Sequence, residues 1–89
     1  MRTIYRTKQF KKDVKRMQRR GKAFETFKVV ITKLAIGEPL DAKYHDHSLQ
    51  GGYKGCRECH LEPDWLLIYR LDEDCLTLIR TGTHADLFE

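Results

Sequence analysis

The apolar residues of this 89-residue chain change their spacing near its middle, and this change constrains the fold more than any other feature. In the first half, Phe10, Val14 and Met17 follow one another at helical spacing. In the second half, Trp65 to Tyr69 is an unbroken apolar run, typical of a strand covered on both faces. A chain of this length forms one domain. Helices and strands must therefore share a single small core.

Two helices are predicted before the change in spacing. The first begins after Thr7, which is a candidate N-cap, and ends at Gly21. The second runs from about Lys22 to Ile36 and is closed by Gly37. Its apolar face consists of Phe24, Phe27, Ile31 and Leu34. We expect the two helices to pack as an antiparallel hairpin.

Three consecutive strands are predicted after it, at Tyr53 to His60, Trp65 to Leu71 and Cys75 to Arg80. Their short connections require antiparallel neighbours. Arg2 to Arg6 is predicted as an edge strand, and the tail from Thr81 to Glu89 as a helical turn capped at Thr83. The fold class is therefore α+β, a single domain of order β-α-α-β-β-β with a helical hairpin packed on a mainly antiparallel sheet.

Charge is distributed unevenly along the chain. Residues 1–45 contain 13 basic and 4 acidic side chains, whereas residues 46–89 contain 4 basic and 9 acidic ones, within a formal net charge of +4. A basic first half attracts polyphosphates through counterion release, although a solvated helix face would carry the same charges. The apolar run is too short to cross a bilayer, and the amino terminus has no apolar signal region. We therefore expect a cytoplasmic protein with no membrane partner.

The segment Cys56-Arg57-Glu58-Cys59-His60 contains two thiols at metal-ligand spacing. Residues three apart in a strand point to opposite faces, so both thiols reach one zinc ion only across a bulge. We expect small buried cysteines instead. An odd total of three cysteines also suits a reducing compartment. A redox or metal influence of Cys56 and Cys59 on His60 stays open.

Three histidines and one aspartate lie at or near predicted strand ends: His47, His60, Asp64 and His84. Antiparallel neighbours can bring such ends together at one rim of the sheet. Histidine titrates near neutral pH, and a carboxylate can orient it, so this group suits general acid–base catalysis. A structural role for each histidine is the competing interpretation.

Four segments together closely resemble the YafQ branch of the RelE/ParE toxin superfamily. They are His45 to Gly51, Lys54 to His60, Glu62 to Tyr69, and Arg80 to Phe88 with its R-T-G-T-H-x-x-L-F signature. The resemblance covers nearly the whole chain. It implies a toxin of a type II toxin–antitoxin pair with a RelE-like fold. It further implies an mRNA interferase that cuts mRNA in the ribosomal A site without a metal or another cofactor.

The resemblance also implies residue roles. The catalytic positions fall on His47, His60, Asp64 and His84, and we take His84 as the acid because related toxins usually carry the leaving-group donor in the C-terminal segment. Substrate contacts fall on Arg57, Arg80, Trp65 and Phe88, of which Trp65 is alternatively a core residue. Ribosomal RNA contacts fall on the basic helix, at Lys8, Lys11, Lys12, Lys15, Arg16, Arg19 and Arg20. His45, an additional imidazole beside the catalytic loop, has no assigned role.

The implied partners are a cognate DinJ-like or RelB-like antitoxin, the bacterial ribosome and mRNA, with operator DNA bound only through the antitoxin complex. Two other classes of function stay open. One is a ParE-like toxin that inhibits gyrase without nuclease activity, and the other is a non-catalytic nucleic-acid or zinc-binding module. The set of histidines argues against a pure gyrase inhibitor, which needs no acid–base groups.

Overall fold

The structure is a computed structural model that describes residues 1–88. Glu89, the last residue of the predicted 1–89 domain and of its tail, lies outside the described residues. The elements are β1 (Thr3–Arg6), α1 (Lys8–Arg19), α2 (Glu25–Ile36), β2 (His47–Ser48), β3 (Arg57–Glu62), β4 (Trp65–Leu71), β5 (Cys75–Gly82) and α3 (His84–Phe88). Short 3-10 turns at Ala42–Tyr44 and Gly51–Tyr53 lie on either side of β2. The α+β class is confirmed.

The strands form one five-stranded sheet in the order β1-β5-β4-β3-β2. β3, β4 and β5 are antiparallel neighbours, as predicted, β2 pairs antiparallel with β3, and β1 pairs with β5 in parallel at the edge of the sheet. The sequence analysis missed β2. A strand of two residues is too short to show alternation of apolar and polar side chains.

The core has one layer on each face of the sheet. Alternate residues of β4 point to opposite faces, and all five residues from Trp65 to Tyr69 are fully buried. Trp65, Leu67 and Tyr69 pack with α1 and α2, where the rings of Phe10 and Phe27 stack at 5.9 Å. Leu66 and Ile68 pack on the other face with Leu87 of α3. The strand covered on both faces is thereby confirmed.

The second helix begins at Glu25 rather than near Lys22. Gly21 has a φ of 80°, and the N–H of Lys22 donates to the carbonyl oxygen of Met17 at 3.1 Å, which caps the last turn of α1. Lys22 therefore belongs to the end of the first helix. No helix within residues 1–88 is long and apolar enough to span a membrane.

Candidate active site

Glu58 lies between two histidines on the exposed rim of the sheet. Its Oε1 is 3.2 Å from Nε2 of His60 and 3.4 Å from Nε2 of His47, and its side chain is 6% exposed. Glu58 and His60 share a face because they are two residues apart in β3. His47 of β2 stands directly opposite Glu58 in the register of the sheet. The sequence analysis missed Glu58. Its position two residues before His60 in a predicted strand indicates that both side chains lie on the same face.

The two histidines differ in the ring nitrogens that they leave open. Nδ1 of His47 lies 2.7 Å from the carbonyl oxygen of His45. A carbonyl oxygen only accepts, so this nitrogen carries the proton and donates it. Both ring nitrogens of His47 therefore lie next to protein oxygens, Nδ1 at the carbonyl of His45 and Nε2 at the carboxylate of Glu58. Nδ1 of His60 has no hydrogen-bond partner among residues 1–88 and is open to a reacting group.

A second imidazole–carboxylate pair stands beside the first. Asp64, in the turn between β3 and β4, accepts hydrogen bonds from the backbone N–H of His84 at 2.9 Å and from its Nδ1 at 2.7 Å. These two bonds, the backbone bond first, hold the pKa of Asp64 below its ordinary range. The ring of His84 is thereby fixed with Nε2 open, and its side chain is 54% exposed.

The structure brings the predicted set together. The rings of His60 and His84 lie 5.8 Å apart, and those of His47 and His60 lie 6.2 Å apart. α3 places His84 there because Thr83 caps the helix: its Oγ1 accepts from the N–H of Asp86 at 3.1 Å. The predicted cap is confirmed.

The two predicted stacking residues have different environments. Trp65 is fully buried, its ring packs against Phe24 and Phe27, and its Nε1 donates to Oγ1 of Thr81 at 2.9 Å. The prediction that Trp65 stacks on an mRNA base is therefore wrong for this conformation, and the core alternative is confirmed. Phe88 is 47% exposed, with its ring 6.4 Å from that of His84. It remains available to a base.

Both predicted phosphate-binding arginines form ion pairs. Arg57 donates to Asp46 from Nε at 3.2 Å and from Nη2 at 3.0 Å. Its register partner is Tyr69, so it points to the face of the sheet opposite Glu58, away from the two imidazole–carboxylate pairs. Arg80 donates to the fully buried Asp13 from Nε at 2.7 Å and from Nη2 at 3.2 Å. Only the other N–H groups of Arg80 can contact a phosphate.

The predicted basic surface of α1 divides into two groups. Arg16 and Arg20 bind Asp86 of α3, at 3.3 Å and 2.6 Å, so in this conformation they anchor the C-terminal helix. Part of each guanidinium is thus occupied, and the contact of these two arginines with ribosomal RNA stays a prediction. The other members of the set are exposed: Lys8, Lys11, Lys12, Lys15 and Arg19.

The thiols of Cys56 and Cys59 lie in the two different core layers, as the strand geometry predicts. They cannot share one metal ion. Cys75 is half-buried because it begins β5 next to the exposed turn. A different set could hold a metal, since ligand atoms of His47, Glu58 and His60 all lie within 4.8 Å of one another.

Two imidazole–carboxylate pairs with open ring nitrogens can take up one proton and release another across a reacting phosphodiester. The class of protein is therefore a small basic α+β domain that carries an acid–base site and attracts anions. The family described as the YafQ bacterial toxin of type II toxin–antitoxin systems matches residues 2–89. The chain belongs to this YafQ toxin family.

Similar proteins agree with this assignment. The chain is 51% identical over 81 residues, covering 90% of it and 88% of the relative, to the mRNA interferase toxin YafQ of Escherichia coli K12. It is similar to the toxin in the crystal structure of the E. coli DinJ–YafQ complex, with 48% identity, full coverage of both chains and a TM-score of 0.93. It is also similar to a metal-bound toxin from Helicobacter pylori, with 44% identity, 99% and 100% coverage, and a TM-score of 0.92.

Proposed function

We propose that this protein is the toxin of a type II toxin–antitoxin pair and acts as an endoribonuclease that cleaves mRNA in the ribosomal A site. One observation carries the proposal: the His60–Glu58 and His84–Asp64 pairs stand with their histidine rings 5.8 Å apart. Membership of the YafQ family and likeness to a curated mRNA interferase support it.

His60 acts as the general base in this proposal. Its open Nδ1 takes the proton from the 2′-hydroxyl, and the 2′-oxygen attacks the phosphorus. Glu58, nearly buried and 3.2 Å from Nε2, stabilises the imidazolium that forms. In its imidazolium form His47 also donates from Nε2 to Glu58 and so holds that carboxylate in place from the neighbouring strand.

His84 acts as the general acid. Its Nδ1 is bound to Asp64, so the proton to be transferred lies on Nε2 and passes to the 5′-oxygen as the bond from phosphorus to that oxygen breaks. The products are a 2′,3′-cyclic phosphate and a free 5′-hydroxyl. The remaining N–H groups of Arg80 stabilise charge on the phosphorane, and Phe88 stacks on an unpaired base.

The exposed basic surface and the comparisons support the proposed partners. Lys8, Lys11, Lys12, Lys15 and Arg19 contact the ribosomal RNA backbone, which is a salt-sensitive interaction without sequence specificity. The likeness to YafQ in its complex with DinJ supports a DinJ-like antitoxin as the cognate partner. Operator DNA is bound only by the toxin–antitoxin complex.

The test is cleavage of mRNA by the purified protein, with and without translating bacterial ribosomes, in buffer containing EDTA. We expect cuts in codon register that need ribosomes. His60→Ala and His84→Ala are each expected to lower the cleavage rate about 10²- to 10⁴-fold, whereas Lys28→Gln, which removes an exposed charge on α2, leaves it unchanged. Absence of cleavage by the wild type under every condition would overturn the proposal. It would favour the alternative of a gyrase-inhibiting toxin instead.

The need for a metal ion is tested separately, because His47, Glu58 and His60 could hold one. We propose that the reaction needs none, since the two imidazoles supply both proton transfers. Loss of cleavage in EDTA, with recovery when zinc is returned, would overturn the metal-free mechanism while leaving the nuclease activity intact.

A further inference from the structure

A groove of about 820 Å³ opens beside the two imidazole–carboxylate pairs. His47 and His60 line it together with Lys43, Tyr44, His45 and the 61–63 segment. Because His60 lines the groove, whatever binds there lies next to the reacting phosphate. The proposed mechanism uses His60 but leaves the rest of this groove without a role.

His45 is held in a fixed position at this groove. Its φ of 48° makes it the one non-glycine residue with a positive φ among residues 1–88, and its N–H donates to the carbonyl oxygen of Ala42 at 3.1 Å. Histidine adopts this left-handed conformation more readily than most residues. Its carbonyl oxygen also accepts the bond from Nδ1 of His47. The backbone on both sides of the imidazole is therefore fixed.

The ring of His45 extends a row of aromatic rings. Successive ring centroids are separated by 6.4 Å from Phe88 to His84, 5.8 Å from His84 to His60, and 5.6 Å from His60 to His45. His84 and His60, the proposed acid and base, thus stand between Phe88 and His45 in this row, and the ring of Tyr53 lies 6.0 Å from that of Phe88. Phe88 and His45 are both exposed.

The charges at the groove favour an anion. Lys43 is exposed, with its Nζ 5.3 Å from the ring centroid of Tyr44. The carboxylate of Glu62 is paired with Lys22 at 2.9 Å, so it offers little repulsion. Tyr44 is buried, and the exposed ring that lines the same groove as Lys43 is that of His45. A cation and an exposed aromatic ring in one groove are the features by which proteins bind single-stranded nucleic acid, with the base on the ring and the phosphate at the cation.

We propose that this groove binds the nucleotide next to the scissile phosphate, with its base stacked on His45 and its phosphate at Lys43. The inference rests on the proposed nuclease function and extends the substrate site on the side away from Phe88. His45 is a substrate-binding residue here and transfers no proton.

The test uses mRNA that carries a 2′-O-methyl group at the scissile position, which prevents cleavage, and the fluorescent base 2-aminopurine on one side of that position or the other. Fluorescence is measured with and without ribosomes stalled on this RNA. The variant His45→Asn removes the ring but keeps the backbone carbonyl, and asparagine tolerates the left-handed conformation. We expect the wild type to quench the base on one side, and His45→Asn to relieve the quench on that side only.

Kinetics on cleavable mRNA provide a second measurement. Loss of one stacked base should raise KM about 5- to 100-fold, with kcat within about twofold of the wild type. Lys43→Gln should lower the slope of log Kd against log salt by about 1, as expected for one lost phosphate contact. Lys28→Gln, which removes an exposed lysine elsewhere, should leave the slope unchanged.

Unchanged quenching in His45→Asn would overturn the inference, as would a fall in kcat without a change in binding, because His45 would then act only by holding His47. Should His45→Asn fail to fold, an unchanged salt slope in Lys43→Gln would overturn it instead. If the wild type quenches the base but does not cleave natural mRNA, the groove still binds a nucleotide. In that case only the proposed nuclease function is overturned.

Discussion

The hydroxyl group of Tyr69 donates a hydrogen bond to the carboxylate of Asp46, the residue that precedes His47 in the chain. Tyr69 is fully buried, and burial, followed by Asp46, raises the pKa of its hydroxyl above the ordinary value. Asp46 also accepts two bonds from Arg57. The loop that carries His45 and His47 is therefore tied to both β3 and β4.

Tyr69→Phe removes this bond and keeps the buried ring. We expect a loss of about 0.5–1.5 kcal/mol in the free energy of unfolding, measured in urea. Cleavage should also slow several-fold, because His47 and Glu58 lose part of their support. Tyr5→Phe changes an exposed tyrosine of β1 and is the control. Reduced stability with full activity would show that this bond does not position the catalytic loop.

The sequence predicted the elements with long, regular patterns and missed those that depend on register. Helical spacing located α1, and the apolar run located β4, because each repeats its signal over several residues. β2 has only two residues, so the position of His47 opposite Glu58 could not be read from it. The late start of α2 depends on a capping bond to Met17 that composition does not reveal.

The candidate site follows the same division. His60, Asp64 and His84 were predictable because each lies at or next to the end of a strand with a clear pattern. Glu58 lies between Cys56 and Cys59, and the metal-ligand spacing of these thiols is the more conspicuous pattern of the segment. The pairs of Arg16 and Arg20 with Asp86 join residues 70 and 66 positions apart, and no local pattern indicates them.

Removal of the Asp13 carboxylate should destabilise the protein strongly. Asp13 is fully buried and accepts bonds from Arg80 and from the backbone N–H of Thr81 at 3.2 Å. Asp13→Ala leaves both donors without this acceptor, and we expect a loss of about 3 kcal/mol. Gln18→Ala, on the exposed side of the same helix, should change the stability little. Equal stability of the two variants in urea would contradict this prediction.

Asp86 should make stability depend on pH in the acid range. Its bonds with Arg20, followed by those with Thr83, hold its pKa well below the ordinary range. A carboxyl group whose pKa is lower in the folded state stabilises the protein at any pH above its pKa in the unfolded state, which is about 4. This contribution is progressively lost as the pH falls below that value towards the pKa of the folded state. The free energy of unfolding of the wild type should therefore exceed that of Asp86→Asn most at neutral pH. The difference should shrink towards about pH 3. A constant difference in urea unfolding across this range would refute the assignment.

Gly82→Ala should displace α3. A Cβ atom at this position would lie 2.9 Å from Cβ of Asp86 and 3.0 Å from its Oδ2, too close for the helix to stay in place. We expect a loss of about 1–3 kcal/mol in stability, together with slower cleavage as His84 moves. Gly52→Ala meets nothing within 4 Å and is the matched control. Wild-type stability and activity in Gly82→Ala would mean that α3 adjusts freely.

The three cysteines should differ in reactivity according to their burial. Cys59 is fully buried, and burial, followed by the nearby carboxylates of Asp46 and Glu58, raises the pKa of its thiol to about 12. The thiolate is the reactive form, so Cys59 should stay unlabelled by iodoacetamide in the native protein. The half-buried Cys75 should be labelled first.

Peptide mass mapping after timed labelling measures the order, and labelling in denaturant, where all three thiols react, is the control. Cys56 and Cys59 lie in different core layers, so mild oxidation should not join them in a disulfide. Labelling of Cys59 as fast as Cys75 would place its thiol in a more open environment. A redox influence on the adjacent His60 would then become testable through the cleavage rate after oxidation.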